Sequence, residues 1–242
     1  MPLSQRRLGF DPQLVDYAEA LDLQRQLHTG VLSGESPSTL LLLEHADVYT
    51  AGKRTEQQDR PQDGTPVVDV DRGGKITWHG RGQLVGYPIL RLRDRSLVKD
   101  YVCALEGIIM AVLREDYGLE TTRVEGRSGV WLIDGAQDRK IAAIGIRVHR
   151  SVTTHGFALN CSNPMDPFEN IIPCGLRDAG TTSISAELGR TVTPVEVVDR
   201  IAEECAKVLP GFLTSEGQGP SVEPSDVLTS CSVSTSKEGV TQ

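Results

Sequence analysis

The sequence predicts an α+β protein, a mixed and mostly antiparallel sheet flanked by helices. Three observations predict it. Three segments carry the caps and the apolar periodicity of helices, and seven short segments rich in β-branched residues lie between turn signals. The strand-like segments also follow one another more often than they alternate with helices, which is not the order of a doubly wound nucleotide-binding fold.

The first helix is announced by Asp11-Pro12, a capping residue before a proline at the first helical position. Leu14, Tyr17, Ala18 and Leu21 then recur at helical spacing, and Thr29-Gly30 closes the segment. Ser96 opens a second helix with Val102, Leu105, Ile109, Val112 and Leu113 on one side and Gly118 as its stop. The third begins with the capping box Thr193-Pro194-Val195-Glu196 and runs towards Leu209, before Pro210-Gly211. The strand candidates are Thr39–Leu43, Val67–Val70, Lys75–His79, Gln83–Leu92, Gly129–Ile133, Lys140–Val148 and Thr153–Asn160. Turn signals such as Gln62-Asp63-Gly64 and Asp134-Gly135 separate them.

At 242 residues the chain suits one domain with an appended tail. Residues 1–212 form the expected catalytic domain. Residues 213–242 are Ser-, Thr-, Gly- and Pro-rich with almost no large apolar side chain. Such a segment buries too little surface to offset its ordering entropy, so a disordered tail is expected. The net charge of -8 argues against general nucleic-acid binding. No apolar run approaches bilayer length, and the N-terminus lacks the apolar core of a secretory signal, so a cytoplasmic location is expected. The five cysteines, at 103, 161, 174, 205 and 231, contain no C-x-x-C pair. A disulfide framework or zinc knuckle is therefore not expected, and free thiols are the simpler reading.

Three places carry chemistry. The run R-G-G-K-I-T-W-H-G-R-G-Q-L-V-G-Y, Arg72 to Tyr87, is glycine-dense where strand formers would be preferred, so backbone comes close to something there. It matches neither the P-loop nor the dinucleotide fingerprint. Lys140 opens a strand on which strict alternation groups it with Ala142, Ile144, Ile146 and Val148, and sets Arg139, Ile141, Ala143, Gly145, Arg147 and His149 on the other face. A lysine at the edge of an apolar face is partly desolvated and usable as a base, although a lysine reaching back to solvent is the commoner outcome. Cys174 lies between Pro173, which fixes the entering backbone, and Gly175, which lets a substrate come close. Cys103 and Cys205 read as small buried hydrophobes on helices, Cys161 as a strand end, and Cys231 as part of the tail. Cys174 alone has the backbone setting of a nucleophile, and a neighbouring amine would raise its thiolate population.

These three segments, in this order, resemble the lipoyl(octanoyl) transferases over roughly Leu3 to Gly211. The resemblance implies the fold of the biotin and lipoate protein ligases and a Cys174–Lys140 dyad. It also implies an acyl site formed by Arg72, Gly73, Gly74, Lys75, Ile76, Thr77, Trp78 and His79, by Ala143, Ile144 and Gly145, and by Gly156, Phe157 and Ala158. Small residues in all three stretches would leave room for an alkyl chain. His79 and His155 fall inside these motifs; either can orient the acyl carbonyl or meet the acceptor, and a structural role suits His155 equally well. The implied reaction moves octanoyl from octanoyl-acyl carrier protein to a lysine of a lipoyl domain through a cysteine thioester, the first step of endogenous protein lipoylation. The implied acceptors are 2-oxoacid dehydrogenase E2 subunits and the glycine cleavage carrier protein. No cofactor, metal, nucleic acid or membrane is needed, and a monomer is the default. Acyl carrier proteins are acidic, which makes Lys53, Arg54, Arg81, Arg139 and Arg150 docking candidates. Arg81 stands where the family commonly has proline, a departure that would loosen the loop or add a cation at the rim. The nearest rival is an ATP-dependent lipoate or biotin ligase of the same fold; a non-catalytic binder of lipoyl domains is a second.

Overall fold

A computed structural model describes residues 3–62, 64–133, 135, 137–172 and 179–213. The segment Pro173–Asp178, with Cys174, and residues 214–242, with Cys231, lie outside the described residues.

The elements in chain order are β1 (Ser4–Arg7), α1 (Tyr17–Ser33), β2 (Thr39–Leu43), β3 (Val48–Ala51), β4 (Val67–Asp69), β5 (Ile76–His79) and β6 (Gln83–Ile89). They continue as α2 (Val98–Tyr117), β7 (Thr122–Val124), β8 (Arg127–Leu132), β9 (Arg139–His149), β10 (Val152–Asn160), α3 (Asp166–Glu169), β11 (Gly180–Thr181), α4 (Ile184–Leu188) and α5 (Pro194–Val208). A large sheet has the order β1-β2-β6-β10-β9-β8-β7, with β11 added beside the start of β9. Its pairs are antiparallel except β1–β2 and β11–β9. A second, three-stranded sheet has the order β4-β3-β5. The mixed, mostly antiparallel α+β expectation is therefore met, and short β1, β3, β7 and β11 add to the strands read from sequence.

Two helix boundaries show how local chemistry decides. The α5 capping box forms as expected, with Glu196 Oε1 accepting from Thr193 N at 2.9 Å. For α1 the cap is Asp16, not Asp11: its Oδ1 accepts from Ala18 N at 2.8 Å and Glu19 N at 3.2 Å. The helix also continues past Gly30 to Ser33 and ends at Gly34 (φ +84°), while Ser36 packs where a Gly30 side chain would stand.

The sheet separates two apolar layers. On one face α2 and α5 bury Leu105, Ile109, Val112, Val197 and Ile201 against Leu84, Ala142, Ile144, Phe157 and Leu159. On the other face α1 buries Ala20, Leu27 and Val31 against Leu41, Leu43, Val85 and Ala158. Each fully buried Leu, Ile or Val contributes about 1.5–3 kcal/mol, so these layers dominate stability. Cys161 and Cys205 are buried free thiols. Cys103 is also buried but is disulfide-bonded, which corrects the free-thiol expectation at that position. No helix among the described residues is long and apolar enough to cross a membrane.

Candidate functional site

The small sheet folds over the α1 face of the large one and leaves a cavity between them, about 740 Å³ including its open mouth. Strand alternation explains its wall. On β5, Thr77 and His79, together with Lys75 just before the strand, face the cavity. Ile76 and Trp78 point the opposite way and pack with Tyr49, Phe168 and Ile171. The cavity therefore receives Arg72, Gly74, Lys75, Thr77 and His79 from the glycine-rich run, but not Ile76 or Trp78. Gly73 lies behind the wall, with its N–H bonded to Ile146 O at 2.9 Å.

The glycine density serves this close packing of two chain segments. A Cβ at Gly145 would stand 3.1 Å from Arg72 Cδ and 3.2 Å from Gly73 O, so the bare residue 145 lets the turn at residues 72–75 lie this close to β9. Arg72 then ties that turn together. Its guanidinium donates to Lys75 O at 2.8 Å, Thr50 O at 2.7 Å and Thr50 Oγ1 at 2.9 Å.

Lys140 is placed differently from the strict alternation expected for its strand. Val130 pairs with Ala142 and Trp131 with Lys140, so β9 spends two steps where β8 spends one and Ile141 is the extra residue. The bulge turns Lys140 away from the α2 layer, where Ile141 and Ala142 are buried, and into the cavity beside Ala143 and Gly145. Lys140 is 7% exposed, with Nζ donating to Ser128 O at 3.0 Å and lying 4.6 Å from the centre of the Trp131 ring. Gly129 makes the bulge fit: its φ is +123°, and a Cβ there would meet Ala142 O at 2.4 Å. Behind it, Glu106 Oε1 accepts from Gly129 N at 2.8 Å while Oε2 accepts from Arg123 Nε at 3.1 Å. Burial raises the Glu106 carboxyl above its usual range.

The remaining expected wall residues, Ala143, Ile144, Gly145, Gly156, Phe157 and Ala158, all line the cavity. Cys174 lies outside the described residues. Its described neighbours on the downstream side are informative: Gly180 pairs with Arg139, Thr181 with Lys140, and Thr182 N donates to Lys140 O at 3.0 Å. Upstream, Ile172 N donates to Asp59 O at 3.1 Å, and the Asp59 carboxylate holds Lys75 Nζ at 3.1 Å.

Tyr17, Arg54, Tyr87, Gly126, Arg127 and Ser128 also line the cavity; of these Arg54 was expected as a docking residue and the others had no expected role in the site. Tyr17 opens α1, Tyr87 lies within β6, and Gly126, Arg127 and Ser128 lie between β7 and β8 and at the start of β8. His45 is fully buried beside the aromatic wall. Its Nδ1 donates to Val15 O at 3.0 Å, so Nε2 accepts from Tyr87 Oη at 2.8 Å. His79 is held by a relay: Nδ1 donates to Gln83 Oε1 at 2.7 Å, Gln83 Nε2 to Asn160 Oδ1 at 2.8 Å, and Asn160 Nδ2 to Thr182 O at 2.8 Å. The backbone carbonyl at its end fixes both amides and leaves His79 Nε2 as an acceptor. Burial holds His45 down to about 4, and His79 and His155 down to about 3, so all three are neutral at pH 7. Burial likewise raises the Tyr17 hydroxyl to about 12. The buried Arg72 guanidinium, neutral His79 and His155, and the Lys140 amine thus line one chamber.

Two docking candidates are corrected by their partners. Arg81 pairs with Asp11 at 3.2 Å and lines a separate surface groove, so it is not at the rim of this cavity. Arg139 is engaged by Glu187, with contacts of 3.0 and 3.1 Å. Arg54 does line the cavity, next to exposed Lys53.

Comparison with known proteins agrees with this architecture. A family model described as the lipoyl protein ligase A/B catalytic domain matches residues 16–206. The octanoyltransferase of Paenarthrobacter aurescens is 56% identical over 209 residues, covering 86% of this chain and 94% of that protein. The octanoyltransferase of Leifsonia xyli subsp. xyli is 60% identical over 197 residues, covering 81% of this chain and 88% of that protein. Among solved structures, a bi-partite lipoate protein ligase from Thermoplasma acidophilum superposes with a TM-score of 0.61 at 13% identity, covering 93% of this chain and 90% of that one. At that identity the likeness speaks for the fold alone.

Proposed function

The chain belongs to the octanoyltransferases within the lipoyl protein ligase A/B family, and from that premise we propose that its cavity receives an octanoyl group from acyl carrier protein and delivers it to a lysine of a lipoyl domain. The observation that carries this reading is the bulge at Ile141. It sets the buried Lys140 amine at the end of a chamber walled by Ala143, Gly145, Gly156 and Ala158, where a nucleophile and an alkyl chain both need access.

Cys174 is the nucleophile in this proposal. It lies two residues from Ile172, whose N–H is tied to the mouth through Asp59, and two residues of chain span at most about 7 Å. Its Sγ attacks the thioester carbonyl while its proton passes to Lys140 Nζ. The carrier thiol leaves with that proton, and acyl-Cys174 remains. Lys140 then accepts a proton from the incoming lysine, whose nitrogen attacks the acyl carbon; the amide forms and the Cys174 thiolate is released. The donor thioester is already activated, so no ATP is consumed. Lys53 and Arg54 at the mouth supply the positive charge that an acidic carrier would meet.

Intact-protein mass spectrometry after mixing with octanoyl-acyl carrier protein, without ATP, tests this. The wild type should gain one octanoyl group, Cys174→Ala none, and Lys140→Ala the same adduct far more slowly. Labelling of a lipoyl domain only on addition of ATP and free octanoate would move the chain to the ligase class instead.

A further inference from the structure

We propose that His155 is the wall that sets acyl-chain length, closing the far end of the cavity against a second groove; this rests on the acyl-transfer reading above. His155 borders both spaces. On one side its ring meets Tyr87 edge-on, at 6.5 Å between centroids, inside the cavity that holds Lys140. On the other side lies a surface groove of about 610 Å³ counting its open side, lined by Leu21, Gln24, Arg25, His28, Arg147 and Thr154. The two spaces share no other lining residue.

The position of the wall fits the path of an acyl chain. With the reacting carbonyl at Lys140, the chain runs along β9 past Ala143 and Gly145, and His155 pairs with Ile146, one residue further. From Lys140 to Gly145 the strand advances roughly 13–16 Å at its usual rise. A medium-length chain and its thioester occupy that distance; a longer one would run into the imidazole.

The wall is also held under strain. His155 has φ +58°, a backbone conformation that side-chain-bearing residues seldom adopt. Two contacts over-determine it: the backbone N–H donates to Gln24 Oε1 at 2.8 Å, and Nε2 donates to Asp71 Oδ1 at 3.0 Å. Asp71 is in turn paired with Arg147, which lines the groove. An ordinary core residue would need neither the unusual backbone nor this outer brace. Glycine adopts the same φ freely, so His155→Gly removes the ring while keeping the local path of the chain.

The test is competition between octanoyl-, decanoyl- and dodecanoyl-acyl carrier protein, read as the ratio of kcat/KM values. His155→Gly should raise the dodecanoyl-to-octanoyl ratio at least tenfold. Adding Leu21→Trp, which fills the groove, should return most of that gain. His155→Asn, which tolerates the left-handed backbone, should give a smaller rise and serves if the glycine variant does not fold. A ratio within twofold of wild type in a folded variant overturns the proposal, as does equal loss of transfer for every chain length. If the wild type transfers no acyl group at all, the acyl-transfer reading falls by itself. Length selection is then read from thermal shifts with free octanoate and dodecanoate: dodecanoate stabilising only His155→Gly supports the wall, and identical shifts in both proteins overturn it.

Discussion

On the face of the large sheet covered by α2 and α5, β-strand side chains pack with Leu105, Ile109, Val112, Val198 and Ile201 in one buried apolar cluster. On the opposite face, beyond the end of the α1 packing, the same strands present Lys140, Ala143, Gly145, His155 and Ala158 to a chamber roofed by β5. The contrast lies in what a residue is asked to do. Where the sheet must be stable, large apolar side chains fill it; where it must react, small residues keep volume empty, and Arg72, His79 and His155 are each fixed by hydrogen-bond partners. The neutral histidines belong to the second face, and so do the positive φ of His155 and the bulge at Ile141.

If the two faces divide the work in this way, they separate under mutation. The largest expected effect is on the reactive face: Lys140→Ala should slow acyl-enzyme formation by about 10²–10⁴-fold, the usual contribution of a positioned base. Its denaturation midpoint should stay close to wild type, since the Lys140 side chain lines the chamber and takes no part in the apolar layers that hold the sheet. Quenched-flow mass spectrometry reads the rate. A loss under tenfold with intact fold would remove Lys140 from the proton path.

Ile201→Ala is the mirror experiment. The side chain is fully buried on α5, and its truncation should cost about 2–5 kcal/mol in urea unfolding. The rate per folded molecule should not change. A parallel loss of both would mean that the packed face and the chamber are mechanically coupled.

Gly145→Ala brings the comparison to a single atom. The added methyl meets Arg72 Cδ at 3.1 Å and Gly73 O at 3.2 Å, so the turn at residues 72–75 must shift by a few tenths of an ångström. Overpacking of this kind costs about 1–3 kcal/mol, and it narrows the chamber at the same time. Both stability and octanoyl loading should fall, unlike in either variant above; unchanged loading would show that the turn yields without moving the wall.

Much of this division was legible in the sequence, and the illegible part has physical causes. The α5 capping box could be read because it depends on neighbours a few residues apart, whereas Ile76 and Trp78 were expected in the acyl site beside Thr77 and His79 and point the other way. The glycines of Arg72–Lys75 and Gly145 could be read as a close approach, but not as an approach to each other, since that is a contact across the sheets. The side of the strand on which Lys140 falls depends on a register shift between β8 and β9, and nothing within Arg139–His149 encodes it. Tyr17, Tyr87 and Arg127 were given no role in the site for the same reason: local patterns placed Tyr17 on a helix and Tyr87 on a strand, and only the topology brings them to the chamber.

A smaller effect follows from the buried histidines, and its sign can be worked out. His45 at about 4, and His79 and His155 at about 3, lie below the ordinary value of 6.5, so the unfolded chain binds their protons first. Their neutral burial therefore supports stability fully above pH 6.5 and progressively less as the pH falls through 6.5 towards 4 and 3. Each histidine weakens the fold by roughly 1.4 kcal/mol per pH unit within that window. All three sit on the chamber side, so His79→Gln should flatten the acid limb of a melting-temperature profile by about a third. Ile201→Ala should lower the whole profile without changing its slope between pH 6.5 and 4. An acid limb that keeps its full slope in His79→Gln would mean that the fold opens around His79 before this histidine titrates.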